Sequence, residues 1–167
     1  MLLPTDFRLI AGGLTLIVAS ATGAPALAQQ DTANLNVTAQ IQASCVVNGG
    51  SLNFGVYNSD EAKEGQGTFS YECPQGTNIT LKLGAGQHPV GGSRAMASGG
   101  SGTLRYQLFK DSSRQDVWND TESGGLTVPD TSDQEEVVQV YGLIASGQDL
   151  PAGTYSDVVQ ITLNINP

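Results

Sequence analysis

One histidine, two cysteines and a short acidic run are the residues of this chain whose types could do chemistry. A Ser-His-Asp triad would have to be built on His88, which lies in "GQHPVGG". Such a glycine-flanked stretch holds a general base poorly, so the expected role is an exposed loop histidine. The run "PDTSDQEE" (129–136) offers carboxylates of the calcium-binding kind but lacks the central Gly and terminal Glu of an EF-hand loop. It reads as a solvated turn before a strand. No carboxylate pair is singled out for glycoside hydrolysis. Asn36 and Asn78 match the Asn-x-Thr acceptor pattern, but both fall on predicted strands, where Thr is common for its β propensity alone. With no nucleophile, metal or cofactor motif, the expectation is a protein that is not an enzyme and uses no cofactor.

Cys45 and Cys73 have two readings. A metal site is weakly supported, because His88 is the single histidine and the cysteines show no Cys-x-x-Cys spacing. A disulfide is the default if the chain is exported. Its closed loop of about 29 residues would contribute roughly 3.5 kcal/mol in the chain-entropy model. Export is what the front of the sequence predicts. "MLLPTDFR" precedes the apolar run Leu9–Ala21, and Ala26-Leu27-Ala28 supplies an Ala-x-Ala cleavage site. The apolar run falls short of the ~20 residues that span a bilayer. Residues 1–28 are therefore expected to be a secretory signal peptide, and direct membrane insertion is not expected. Removing Arg8 together with Asp6 leaves the net charge at −9. An acidic chain without a basic stripe lacks the electrostatic footprint of a nucleic-acid binder and is disfavoured on anionic membranes.

Short strand-like runs separated by Gly, Pro, Asn, Asp and Ser must position whatever function remains: 51–57, 68–73, 77–83, 103–110, 114–119, 136–145 and 154–166. "KDSSRQD" reads as a hairpin connection, residues 84–102 as a long surface loop, and Trp118 as a cap on the core. The pattern predicts an all-β sandwich of one domain. Both of its ends alternate with period two. Ala33, Leu35, Val37, Ala39, Ile41 and Ala43 are apolar with polar residues between them, and so are Val159, Ile161, Leu163 and Ile165. Each is the signature of a half-buried strand, and an unpaired edge of that kind templates association.

The order Cys45, "LNFGVY", "YECPQGTNITLKLGAG", "LRYQLFKDSSRQDVWND" and "VYGLIASGQDLPAGTYSDVVQITLNI" resembles the spore coat protein U family of secreted proteins, which includes subunits of archaic chaperone–usher pili. The resemblance covers nearly the whole of residues 29–167. It implies an immunoglobulin-like β-sandwich, incomplete by its final strand and completed by a donor strand. A groove between the first and last strands would be filled first by a periplasmic chaperone and then, at an outer-membrane usher, by another copy or a related pilin subunit. Head-to-tail repetition would build a surface fibre, exported through the periplasm and supporting adhesion and biofilm formation. On this reading residues 29–41 form the donor extension, with Ala33, Leu35, Val37, Ala39 and Ile41 as plugs, and residues 42–167 form the sandwich. Val159, Ile161, Leu163 and Ile165 would face into the acceptor groove, and Cys45–Cys73 would tie the first strand to the body. The competing reading is a self-contained secreted spore-coat or carbohydrate-binding module, with residues 33–43 paired inside their own chain.

Overall fold

The structure, a computed structural model, describes residues 30–100 and 102–167, so the expected signal peptide (1–28) lies outside the described residues. Residues 30–39 belong to a separate unit of the chain, in which they form no helix or strand and are all exposed.

Residues 40–167 form the second unit, an all-β, immunoglobulin-like sandwich without helices among the described residues. Its strands are β1 (Val46–Asn53), β2 (Lys63–Glu72), β3 (Asn78–Leu83), β4 (Arg94–Ala97), β5 (Thr103–Phe109), β6 (Leu126–Val128), β7 (Glu136–Ile144) and β8 (Ile161–Asn166). One sheet has the order β1-β2-β7-β5-β4 and the other β6-β3-β8, with antiparallel pairing throughout. Alternation makes these strands. On β3, Ile79, Leu81 and Leu83 point inward, and on β7, Val138, Val140 and Ile144 do. The two inner faces interlock around Trp118. Its backbone N–H donates to Leu108 O (2.8 Å) and its indole N–H to Leu81 O (2.9 Å), so one buried side chain joins the hairpin after β5 to the opposite sheet.

Where the sequence reading differs from the structure, pairing is the reason. Residues 114–119 make one bridge, Val117 to Phe109, rather than a strand, because Arg114 adopts φ 55° and turns the chain. The turn itself is organised by Asp111, whose carboxylate accepts from the Ser113 hydroxyl and from the backbone N–H groups of Gln115 and Asp116. These bonds, the hydroxyl first, lower its pKa to about 2. The stretch 84–102 holds β4, with Arg94 and Ala95 buried, because the Arg94 guanidinium donates to Gly84 O and Leu83 O (both 2.7 Å). Ala33–Cys45 forms no strand despite its unbroken alternation, and β1 begins at Val46. Alternation marks a segment that can be half-buried; a ladder requires a partner edge.

Cys45 and Cys73 are joined by a disulfide that fixes the residue before β1 to the residue after β2. Within β1 the register shifts between Asn48 and Ser51, a bulge at Gly49–Gly50. A Cβ on Gly50 would stand 1.7 Å from Thr68 O, so only glycine lets β1 lie this close to β2. Replacing both cysteines by alanine is expected to lower the unfolding free energy by about 2–5 kcal/mol. Urea denaturation of the double variant beside the oxidised wild type measures this, and equal midpoints would contradict it.

Candidate functional site

β1 is an outer strand of the five-stranded sheet and β8 an outer strand of the three-stranded sheet, and among the described residues neither has a partner on its outer side. Between them lies a groove of about 400 Å³. Its floor is the inner face of the larger sheet, with Phe69, Tyr106, Leu108 and Val140. Leu52 and Phe54 form one wall; Leu83, Val159 and Ile161 form the other; Met96 and Tyr155 stand among the remaining lining residues. Phe54 can lie there because Gly142 has no side chain: a Cβ would come within 2.6 Å of its ring. The ring also meets Tyr106 edge-on, centroids 5.9 Å apart.

The second wall is only partly covered. Val159, Ile161 and Leu163 are half-buried against the core, and Ile165 is 44% exposed. Of the four last-strand residues singled out from the sequence, Val159 and Ile161 line the groove, while Leu163 and Ile165 continue along β8 beyond it. Ala33, Leu35, Val37, Ala39 and Ile41 are all exposed, the three large ones at 87% (Leu35), 83% (Val37) and 95% (Ile41). Exposed apolar residues are ordinary when isolated; these three lie at odd positions of a segment that forms no strand.

Soluble sheet proteins blunt open edges with charges, especially Lys. Here neither edge carries one. Ala33–Ser59 contains no Asp, Glu, Lys or Arg, nor does Val158–Pro167. Among the described residues both edges thus combine an unpaired outer side with an uncharged sequence beside an apolar trough, a combination compatible with addition of an extended strand.

Asp157 is the one ionisable carboxylate in the lining, and its side chain is 2% exposed. Tyr106 Oη donates to Oδ2 at 2.7 Å, Gln87 N–H donates to Oδ1 at 2.8 Å, and His88 Nδ1 stands 3.4 Å from Oδ1. Burial first, and then this hydrogen bond, push the Tyr106 hydroxyl above the ordinary phenol range, so it stays a neutral donor. His88 is an exposed loop histidine, as the sequence suggested, and its Nδ1 also lies beside this carboxylate, four residues ahead of β8. The sequence reading missed Phe54, Met96, Tyr106 and Asp157 as groove residues. Phe54 and Tyr106 were visible as parts of strand-like runs, whereas Met96 and Asp157 carried no local signal, because their neighbours come from distant segments.

The family model described as Spore Coat Protein U domain matches residues 31–162. "Protein U" of Myxococcus xanthus is 34% identical over 164 residues, an alignment covering 83% of this chain and 87% of that protein. Among solved structures, the chain is similar to the CsuC–CsuE chaperone–tip adhesion subunit pre-assembly complex from archaic chaperone-usher Csu pili of Acinetobacter baumannii. There the TM-score is 0.54 at 24% identity, over 74% of this chain and 40% of the matched one, which establishes a shared fold.

Asp157→Ala would leave the Tyr106 hydroxyl and the Gln87 amide without their acceptor. The expected cost is about 1–3 kcal/mol for each orphaned donor that stays dry, with faster amide exchange at Gln87. Wild-type stability and exchange in that variant would show that the carboxylate does not hold this end of the groove.

Proposed function

This chain belongs to the Spore Coat Protein U domain family, and on that premise we propose that it is a structural subunit of a secreted surface fibre that polymerises by donor-strand exchange. The observation carrying the proposal is the uncharged, unpaired pair of edges, β1 and β8, around an apolar groove. The same chain supplies a matching piece: an exposed, alternating, uncharged segment ahead of β1.

In this reading residues 1–28 are a signal peptide, residues 29–41 the donor extension and residues 42–167 the acceptor sandwich. Ala33, Leu35, Val37, Ala39 and Ile41 of one copy enter the groove of the next, against Val159, Ile161, Leu163 and Ile165. Each large apolar plug contributes about 1.5–3 kcal/mol when fully buried, and the backbone adds hydrogen bonds along both edges. A periplasmic chaperone covers the groove before assembly, and an outer-membrane usher exchanges it for the next donor. The contact is heterologous, so it repeats into a filament at the cell surface, there serving adhesion and biofilm formation. The structural likeness to a subunit in a chaperone complex supports the chaperone as a partner.

The second reading is a self-contained spore-coat module, favoured by the family description and by the match along 87% of Protein U. It requires residues 33–43 to pair inside their own chain. The discriminating chains are a deletion of residues 29–42 and the single change Leu35→Asp. Both are expected to fold and to lose multimers, Leu35→Asp by about 30-fold or more, equivalent to roughly 2 kcal/mol of lost burial. Multimers that resist denaturing detergent without heating are the readout. Wild-type multimers from either chain would sink the exchange mechanism, and an unfolded Leu35→Asp monomer would favour pairing in cis.

A further inference from the structure

Beyond the apolar trough, the outer faces of the two candidate partners share one chemistry. On β8 and just before it, the positions between the apolar ones are Gln160, Thr162, Asn164 and Asn166. On the alternating N-terminal segment the corresponding positions are Asn34, Asn36, Thr38 and Gln40, all exposed. Every one of these residues is a neutral amide or hydroxyl. A pairing of this kind is present, between diagonal neighbours, on the other side of β8: Asn166 Nδ2 donates to Thr80 Oγ1 of β3 at 2.9 Å. In that ladder Asn164 lies opposite Thr80 and Asn166 opposite Asn78.

We propose that, when a second copy's residues 33–41 pair beside β8, the outward-facing side chains of the two strands form an uncharged amide–hydroxyl ladder that fixes the register of the joint. The inference rests on the donor-strand reading above. Apolar residues at spacing two fill a trough nearly as well after a slip of two, because the side chains return to the same face. Hydrogen bonds between specific opposite or diagonal pairs penalise that slip, since cross-strand neighbours on one face put these side chains in reach. Stacked Asn and Gln stabilise adjoining strands in the same way. The absence of charge matters equally. Each copy has a net charge of −9, and acidic residues at these positions would set like charges against one another across the joint.

The test compares detergent-resistant multimers from three full-length chains exported in the native host: wild type, Asn36→Asp/Asn164→Asp, and Asn36→Asp/Asn164→Lys. The all-acidic chain is expected to yield roughly fivefold fewer multimers, as opposed like charges do across strands, and the Asp–Lys chain to recover them. Equal yields from all three overturn the ladder, as does a loss that the Asp–Lys chain does not reverse. Leu35→Asp run in parallel separates the two levels. If it assembles like wild type, the donor-strand reading itself fails; if it does not while the charged chains match wild type, the ladder alone fails.

Discussion

Backbone hydrogen bonds that find no partner within the sandwich set the terms for the rest of the molecule. A β-sandwich could close its core with every edge short or charged, yet here β1 and β8 border an apolar trough with no partner on their outer sides among the described residues. The bulge at Gly49–Gly50 draws β1 tightly onto β2, and the Cys45–Cys73 disulfide pins its start. β8, held on one side by β3, keeps its apolar row only half covered. The core beneath is complete: Trp118 stitches the sheets together, and Tyr71 bonds Glu136 to fasten β2 to the start of β7. What is incomplete is local and runs along one seam.

Polar contacts gather at one end of this seam. Arg94 takes the carbonyls of Leu83 and Gly84, at the end of β3 and just past it, and the Gly84 N–H bonds Gln160 O ahead of β8. Asp157 gathers Tyr106, Gln87 and His88 a few residues earlier. Burial of Arg94 lowers its proton affinity, yet the guanidinium is satisfied by the carbonyls it binds. These contacts brace the trough, and on the donor-strand reading proposed above a braced site would spare an incoming strand part of the cost of ordering both partners.

Much of this was legible in the sequence, for identifiable reasons. Period-two alternation located β3, β5, β7 and β8 and implied a sandwich, because inward and outward positions differ in hydropathy. It failed where hydropathy was not the determinant. β4 hides in a Gly- and Ser-rich stretch because Arg94 is buried by hydrogen bonding. Residues 63–67 of β2 carry glycines that make room for Phe54 and Leu52. Residues 33–45 alternate as cleanly as any strand but have no ladder in the structure, since alternation encodes a face and leaves the partner unspecified. The alternation of the run that holds Val159 and Ile161, two residues of the groove lining, was readable, and so was the cysteine pair. Asp157 and Met96 were not, as their roles exist only after distant segments meet.

Hydrogen exchange at the β8 amides, compared between isolated monomers and assembled multimers, tests the central claim most directly. An edge that receives a strand should show its outward-facing amides exchanging fast in the monomer and protected by several orders of magnitude in the multimer, with β3 unchanged. Fast exchange at those amides in both states would mean that the groove stays open in the assembly, and that the subunits are joined by some other surface.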